Sequence, residues 1–297
     1  MIVLSASRRT DIPAFYMDQF MAGIRAGAFE VENPYNGRVS RVAATPDEVA
    51  AVVFWSKNYH AFLEGGYGLE LQRRGYRLFF HFTVNSPHRV LEPHLPDLED
   101  RLAQVRRLTE LVPPQAVNWR FDPILWFRDE RGETGNNLGD FVRIAEGMAR
   151  AGVRTCTTSF LDIYPKVRRR AAGVARWRFL EVSRDKRLQV LRRMLDVLNF
   201  LGMELQVCCE EDLVEALGLP DDVRSGACVS HARLEEIYGP LGLSHRRDKG
   251  QRSKAGCGCD ESRDVGSYRR QPCWHGCLYC YANPVRSGGR RGQGGAP

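Results

Sequence analysis

The sequence predicts an α/β fold: a closed or partial β/α (TIM-like) barrel with an irregular, cysteine-rich C-terminal appendage. Six apolar runs alternate with helical stretches over residues 1–218, as is typical of a parallel sheet with right-handed crossovers. No G-x-G-x-x-G motif follows any of these runs, which removes the usual dinucleotide-binding interpretation. After residue 218 the alternation stops, and the chain becomes rich in glycine, cysteine and charge. Six repeats favour a barrel over an open, doubly wound sheet.

The predicted strands are short apolar runs, several of them rich in β-branched or aromatic residues. They occupy residues 2–6, 50–58, 76–85, 116–125, 153–160 and 203–210. The predicted helices lie between these strands and end at prolines or glycines, such as Pro113, Gly152 and Gly202. They occupy residues 14–27, 97–112, 138–152 and 184–201, and a further helix begins at 211–217.

Three regions follow from this pattern. Residues 1–218 form the predicted barrel, residues 219–284 a cysteine-rich segment packed on it, and residues 285–297 a disordered Gly/Arg-rich tail. The net charge of +7 is concentrated in the run 246–254 and in this tail, so the rest of the chain is neutral. The charge therefore supports nucleic-acid binding only weakly, although the basic run lies beside cysteines.

The composition predicts a cytoplasmic protein. No secretory signal opens the chain, and no stretch approaches the ~20 apolar residues of a membrane span. In that compartment the nine cysteines are not expected to form disulfides. Metal binding or redox chemistry is the expected use of a cysteine-rich segment.

Polar residues cluster at the ends of the predicted strands, where barrel enzymes place their chemistry. The second strand ends at Lys57, the fourth carries Arg120 and Asp122, and the sixth ends at Glu210. Each alone would more often cap a helix or close a surface ion pair. Together they predict a catalytic pocket for a small-molecule or anionic substrate: a small metabolite, a peptide or a nucleic-acid lesion would all fit, and the arginines favour only an anionic one. His81, inside the third strand, is either a core histidine or a functional one.

The strongest motif is Cys273-x3-Cys277-x2-Cys280 in "CWHGCLYCYAN". Thiolates bind soft metals and iron–sulfur clusters. Three thiolates on one loop could hold a [4Fe-4S] cluster and leave one iron open to chelate a small molecule through an amine and a carboxylate. S-adenosylmethionine (SAM) activation requires such an iron.

The spacing, together with Tyr279 just before the third cysteine, resembles the cluster motif of the radical SAM superfamily, although there the motif follows the first strand. Over nearly its whole length the chain resembles the bacterial domain-of-unknown-function family 1848, whose C-terminal cysteines mirror that cluster. The matching stretches are "SASRRTDIPAFY", "NPYN", "VFWSKN", "WRFDPIL", "CGCDESRDVGSY" and "CWHGCLYCYAN". The resemblance implies an iron–sulfur protein without an established reaction, and Tyr279 as a cofactor-binding residue. From their charge, Lys57 and Arg120 are expected partners of the SAM carboxylate.

Four further thiols could bind a second metal. Adjacent strand residues face opposite ways, so Cys208 is not expected to share a site with its neighbour, and Cys156 is interpreted as a core residue. The second set could hold another [4Fe-4S] cluster or a structural zinc, or remain without metal. Its members are Cys209, Cys228, Cys257 and Cys259.

Three functions remain open at this point. The first is a radical SAM-like enzyme that receives electrons from a donor such as a flavodoxin or ferredoxin. The second is an iron–sulfur redox or electron-transfer protein that does not use SAM. The third is a zinc-stabilised nucleic-acid-binding or repair protein.

Overall fold

The computed structural model describes residues 1–34, 36–174, 177–218, 226–250, 257–282 and 284–285. Nearly all of the predicted tail and the second half of the basic run 246–254 lie outside the described residues.

A parallel sheet of seven strands forms the centre of the protein and confirms the α/β fold. Six of its strands coincide with the six predicted apolar runs, and the seventh comes from the C-terminal segment. Across the sheet the strands are β11 (Glu204–Val207), β9 (Thr155–Phe160), β6 (Val117–Ile124), β5 (Leu78–Thr83), β4 (Val49–Ser56), β1 (Ile2–Ala6) and β12 (Arg263–Asp264).

The order of these strands in the sheet follows their order in the chain, apart from β12, which is added beside β1. Within the described residues β11 and β12 are the two edges, and no pairing joins them into a closed barrel. The strand pairing therefore shows no closed barrel among the described residues, and it does not decide whether the sheet is a partial barrel.

Two small antiparallel sheets accompany the main one. Their strands are β2 (Ala28–Glu32) with β3 (Val39–Ala43), and β7 (Trp126–Arg128) between β8 (Thr134–Asn136) and β10 (Arg178–Leu180). The sequence patterns did not predict these strands.

Ten helices lie in the described residues, and the predicted ones all appear within a few residues of their expected ends. The expected helix 14–27 is divided, because Tyr16 leaves the helical conformation. The helices are α1 (Ile12–Phe15), α2 (Met17–Arg25), α3 (His60–Glu64), α4 (Tyr67–Arg73), α5 (Leu98–Leu111), α6 (Phe141–Arg150), α7 (Pro165–Ala172), α8 (Arg184–Phe200), α9 (Glu211–Leu217) and α10 (His231–Tyr238).

The central strands are buried along almost their whole length. All six residues of β9 are buried, and in β4 only Trp55 is partly exposed. Of these two, β4 is a nearly continuous apolar run, whereas β9 is rich in β-branched threonine. Gly152 and Gly202 follow α6 and α8 with φ of +84° and +64°, a backbone conformation that glycine adopts at little cost. None of the described helices is long and apolar enough to cross a membrane.

The C-terminal segment is joined to the first strand by the carboxylate of Asp264. One carboxylate oxygen accepts hydrogen bonds from Ser7 Oγ (2.7 Å) and the Gly266 amide (3.0 Å). The other accepts from Ser5 Oγ (3.0 Å) and the Arg8 amide (2.7 Å). These bonds hold β12 against β1, and through it the cysteines on either side of β12 against the sheet.

Replacement of this carboxylate should loosen the C-terminal segment. We expect Asp264→Asn to lower the free energy of unfolding by about 2–3 kcal/mol, because hydrogen bonds to charged groups contribute about 1.5–3 kcal/mol each and the amide nitrogen of Asn cannot accept. Urea denaturation followed by circular dichroism measures the change. Asp196→Asn, at an exposed position of α8, is the matched control; equal stability of the two variants would contradict the role of Asp264.

Candidate functional site

The loop of residues 273–280, called here the cysteine loop, packs against the carboxyl ends of β4 and β5. The Tyr279 hydroxyl accepts hydrogen bonds from Lys57 Nζ and Asn85 Nδ2, both at 2.9 Å, and donates one to Glu92. Lys57 Nζ also lies 2.8 Å from Glu92 Oε1. One buried network thus joins Lys57 and Asn85, which follow the strands, to Glu92 from a separate loop and to Tyr279 of the cysteine loop.

Asp11, in the turn after β1, fastens the other side of the cysteine loop. Its carboxylate accepts hydrogen bonds from Ser56 Oγ (2.7 Å), the Lys57 amide (2.9 Å) and the Ala14 amide (3.0 Å). His275 Nε2 lies 2.8 Å from the same carboxylate, so this nitrogen donates. Among the described residues, the Nδ1 of His275 is buried without a hydrogen-bond partner.

Arg170, on α7, holds the end of the cysteine loop through three backbone carbonyls. Its guanidinium donates to Leu278 O (3.1 Å), Cys280 O (2.6 Å) and Ala282 O (3.1 Å). With Asp11 at one side and Arg170 at the other, the loop is held by charged groups from two different parts of the sheet.

The three loop cysteines lie within electrostatic range of one another and of Lys57. Burial raises the pKa of Cys273 to about 12, and Asp11 adds to this shift. Burial also raises the pKa of Cys277 and of Cys280, against the opposing effect of Lys57. Without a bound cation these groups are thiols at neutral pH, so a metal must displace their protons to bind.

A second group of thiols lies beside the ends of β6 and β11; its five members are Cys208, Cys209, Cys228, Cys257 and Cys259. We call it the second thiol group. Cys208 Sγ lies 3.6 Å from Cys209 Sγ and also contacts the Cys228 thiol. The Cys257 thiol contacts those of Cys209 and Cys259. The five thiols therefore form a chain of pairwise contacts.

The exclusion of Cys208 was wrong. Strand geometry ends at Val207, and Cys209 has a φ of +60°, which is rare for a residue with a side chain. This backbone conformation cancels the alternation of a strand and turns both adjacent thiols toward the same group. The four cysteines predicted for the second site also belong to it.

Arg120 contacts the second thiol group directly. Its Nη1 donates to Cys228 Sγ at 2.7 Å, and its Nη2 is paired with Asp122. The ring centroid of Trp55 lies 5.0 Å from the guanidinium of Arg8 and 5.3 Å from that of Arg120. Arg8 is also within electrostatic range of Cys228 and of the neighbouring Cys259.

His81 is a buried histidine with both ring nitrogens hydrogen-bonded. Asn118 Nδ2 donates to its Nδ1 (3.0 Å), so its Nε2 donates to the carbonyl of Cys228 (2.6 Å). Burial lowers the pKa of His81 to about 3, which keeps the ring neutral. The interpretation of His81 as a core histidine therefore fits its surroundings, and its contribution is to hold the backbone of Cys228.

A chain of hydrogen bonds connects the two groups of thiols. It begins at Cys228 Sγ, passes through the Arg120 guanidinium to Asp122, and continues from the Asp122 amide to Asn85 Oδ1 at 2.9 Å. Asn85 Nδ2 then reaches Tyr279 in the cysteine loop. Three of the four predicted catalytic residues lie along this chain or beside it, namely Arg120, Asp122 and, through Tyr279, Lys57.

Glu210 lies apart from this chain. It accepts a hydrogen bond from the Phe160 amide at 3.3 Å and is 3.6 Å from the Arg187 guanidinium. Burial raises its pKa. A catalytic role for Glu210 stays a prediction.

Sequence reasoning missed two charged members of the buried network. Glu92 lies in an irregular loop, where no pattern marks it. Arg101 is fully buried on α5, 3.8 Å from Glu92. Arg101 and Gln104 occupy the buried face of this helix beside Leu98, Leu102 and Val105. Polar residues at apolar helical positions are the signal that could have found Arg101.

The thiols suit a soft metal by chemistry and burial, and all nine cysteines of the chain are free. As the side chains lie, however, no group of three or more His, Cys, Asp or Glu residues in the described ranges could hold a metal ion. The thiols touch in pairs rather than surrounding one point. Binding would require them to rotate, while the backbone around them is already held by Asp11, Arg170 and Asp264.

Comparison with known proteins gives the family and little else. No curated protein matches the chain. A solved structure of D-allulose 3-epimerase from Methylomonas sp. matches at 9% identity and a TM-score of 0.30, over 74% of this chain and 60% of that one. Similarity at this level carries no information about the function of this chain. The family model described as Domain of unknown function (DUF1848) matches residues 3–282, and the chain belongs to that family.

Proposed function

We propose that this protein is an iron–sulfur enzyme of the radical SAM-like type, in which Cys273, Cys277 and Cys280 bind a [4Fe-4S] cluster. The observation that carries the proposal is the contact between the cysteine loop and the carboxyl ends of β4 and β5, through Tyr279, Lys57 and Asn85. A [4Fe-4S] cluster with one iron not held by the protein supplies, when reduced, the electron that cleaves SAM. Three clustered cysteines, rather than four, support this use.

The charges around the loop favour an anionic occupant. Two cations, Lys57 and Arg101, face one carboxylate, Glu92, in a buried position. Arg101 Nε and Nη1 are buried without hydrogen-bond partners among the described residues. The excess positive charge would stabilise three metal-bound thiolates and a ligand carboxylate nearby.

Lys57 is the better candidate for the SAM carboxylate. Its ammonium lies at the cysteine loop, whereas Arg120 is engaged with Cys228 and Asp122. Tyr279 and Glu92 hold the Lys57 side chain in place. Asp122, fixed by Ser159, Asn85 and Arg120, is a carboxylate available to orient SAM or the substrate. We expect the substrate to be a small anionic molecule and the protein to be cytoplasmic.

The partial barrel remains our proposal for the shape of the sheet. Its support is the segment 226–229, which connects the two edges: the Gly226 amide donates to Val207 O, and Val229 O accepts from the Asp260 amide, both at 2.8 Å. The segment is thus hydrogen-bonded on one side to the last residue of β11 and on the other to Asp260 in the chain before β12.

An iron–sulfur redox protein without SAM is the second candidate. The hydrogen-bonded connection from Cys228 to Tyr279 favours it, because such a path suits electron transfer between two centres. The two candidates share the cluster and differ in SAM cleavage.

Dithionite-reduced, anaerobically reconstituted protein should convert SAM to 5′-deoxyadenosine and methionine. Alanine at Cys273, Cys277 or Cys280 should abolish this, because two thiolates cannot hold the cluster. Mass spectrometry measures deoxyadenosine, and Cys156→Ala, in the core of β9, is the matched control that keeps activity. A wild-type protein with a full cluster and no deoxyadenosine above the Cys280→Ala background would leave the redox protein as the better proposal.

Loss of the Lys57 charge should weaken SAM binding and leave the cluster in place. We expect Lys57→Gln to raise the Kd for SAM about tenfold, the loss of one charge-assisted hydrogen bond worth about 1.4 kcal/mol. Electron paramagnetic resonance during a SAM titration gives the Kd, and iron analysis shows retention of the cluster.

Lys57→Gln leaves the buried negative charge of Glu92 with only Arg101 as a cationic partner. The double variant Lys57→Gln/Glu92→Gln removes both charges of the ion pair and tests the same effect on the Kd for SAM. Lys186→Gln, on the exposed face of α8, is the control. Unchanged affinity in both Lys57 variants would remove this residue from the SAM site.

A further inference from the structure

We propose that the second thiol group is a second redox metal centre, an iron–sulfur cluster held by Cys228, Cys257, Cys259 and one thiol of the Cys208–Cys209 pair. Metal binding at this site does not depend on SAM cleavage by the cysteine loop, whereas its role toward the loop rests on the function proposed above. It is assembled from three separate stretches of the chain: the end of β11, the segment 226–229 and the approach to β12.

The contacts among the thiols carry the first step. The five thiols lie in one cluster. Cys208 contacts Cys228 and Cys209, and Cys257 contacts Cys209 and Cys259. Five thiols in one cluster exceed what packing requires, and an iron–sulfur cluster takes four. The left-handed backbone of Cys209 costs free energy in a residue with a side chain. This cost is explained if function requires adjacent thiols to face one site.

The charges beside the thiols carry the second step. The Arg120 guanidinium donates a hydrogen bond to Cys228 Sγ at 2.7 Å. The Arg8 guanidinium lies 5.0 Å from the Trp55 ring centroid and within electrostatic range of Cys228 and Cys259, and its Nη2 is buried without a hydrogen-bond partner among the described residues. Asp122 and Asp264 partly compensate these arginines. Guanidinium groups stabilise metal-bound thiolates by charge and by hydrogen bonds to sulfur, and such bonds adjust the potential of a cluster.

The connection to the cysteine loop favours an iron–sulfur cluster over zinc. Zinc does not change its oxidation state and would serve here only as a structural clamp. The hydrogen-bonded chain from Cys228 through Arg120, Asp122 and Asn85 ends at Tyr279, beside the three loop cysteines. Two redox centres joined in this way can exchange electrons, so we assign the second thiol group the role of electron donor or acceptor for the first.

Metal analysis of a variant without the first site tests the proposal. The triple variant Cys273→Ala/Cys277→Ala/Cys280→Ala should retain about four iron and four sulfide atoms per chain after anaerobic reconstitution, half of the wild-type content. Cys257→Ser/Cys259→Ser should lose the complementary half and keep the other. Cys156→Ala should keep the full content, and circular dichroism checks that each variant is folded.

Several outcomes would overturn the proposal. A folded triple variant that binds no iron has no second cluster, and one that takes up one zinc in place of iron has only a structural metal. A different result separates this proposal from the proposed function. If wild-type protein does not cleave SAM while the triple variant retains iron, the enzyme function is contradicted and the second cluster is supported.

The role of Arg120 has its own measurement. In the triple variant background, Arg120→Gln should shift the reduction potential of the remaining cluster to a more negative value, because a positive charge that stabilises the reduced form is removed. Arg143→Gln, in an exposed ion pair with Glu99, is the control. A redox titration followed by electron paramagnetic resonance gives both potentials, and equal values would show that Arg120 does not act on a cluster.

Discussion

The parallel direction of β1, β4, β5 and β6 is the constraint on which the site depends. Because all four strands run the same way, their carboxyl ends lie at one edge of the sheet, and the residues after them are brought together. Lys57 and Asn85 follow β4 and β5, Asp122 lies near the end of β6, and the three meet through side-chain and backbone hydrogen bonds, in part through Tyr279. Residues distant in sequence become neighbours without any long-range motif.

The C-terminal segment completes this edge and does not form a separate unit there. Asp264 places β12 beside β1, Asp11 holds His275, and Arg170 holds the end of the cysteine loop. Each anchor is a charged group that accepts or donates several hydrogen bonds in a part-buried position. Such bonds are stronger than neutral ones, so a largely irregular segment can be held in a defined place.

Buried charge is the main cost of this arrangement. Lys57, Glu92 and Arg101 lie in the interior, where an uncompensated charge costs about 3–5 kcal/mol. Their network includes nitrogen atoms that lack partners among the described residues. A fold selected for stability alone would replace such a network with apolar side chains, so its presence beside three cysteines supports the proposal that this site binds a negatively charged group.

The sequence by itself determined the six central strands and the helices between them, because buried parallel strands and amphipathic helices leave periodic patterns that depend only on neighbours in the chain. It also singled out the three loop cysteines, whose spacing is visible directly, and four of the five members of the second thiol group. The tertiary structure decided what local pattern cannot encode. The left-handed conformation of Cys209 brought Cys208 to its neighbours, and chain topology brought Glu92 and Arg101 to Lys57. The two-residue strand β12 is too short for a periodic signal, and only the carboxylate of Asp264 and the free edge of β1 gave it a place in the sheet.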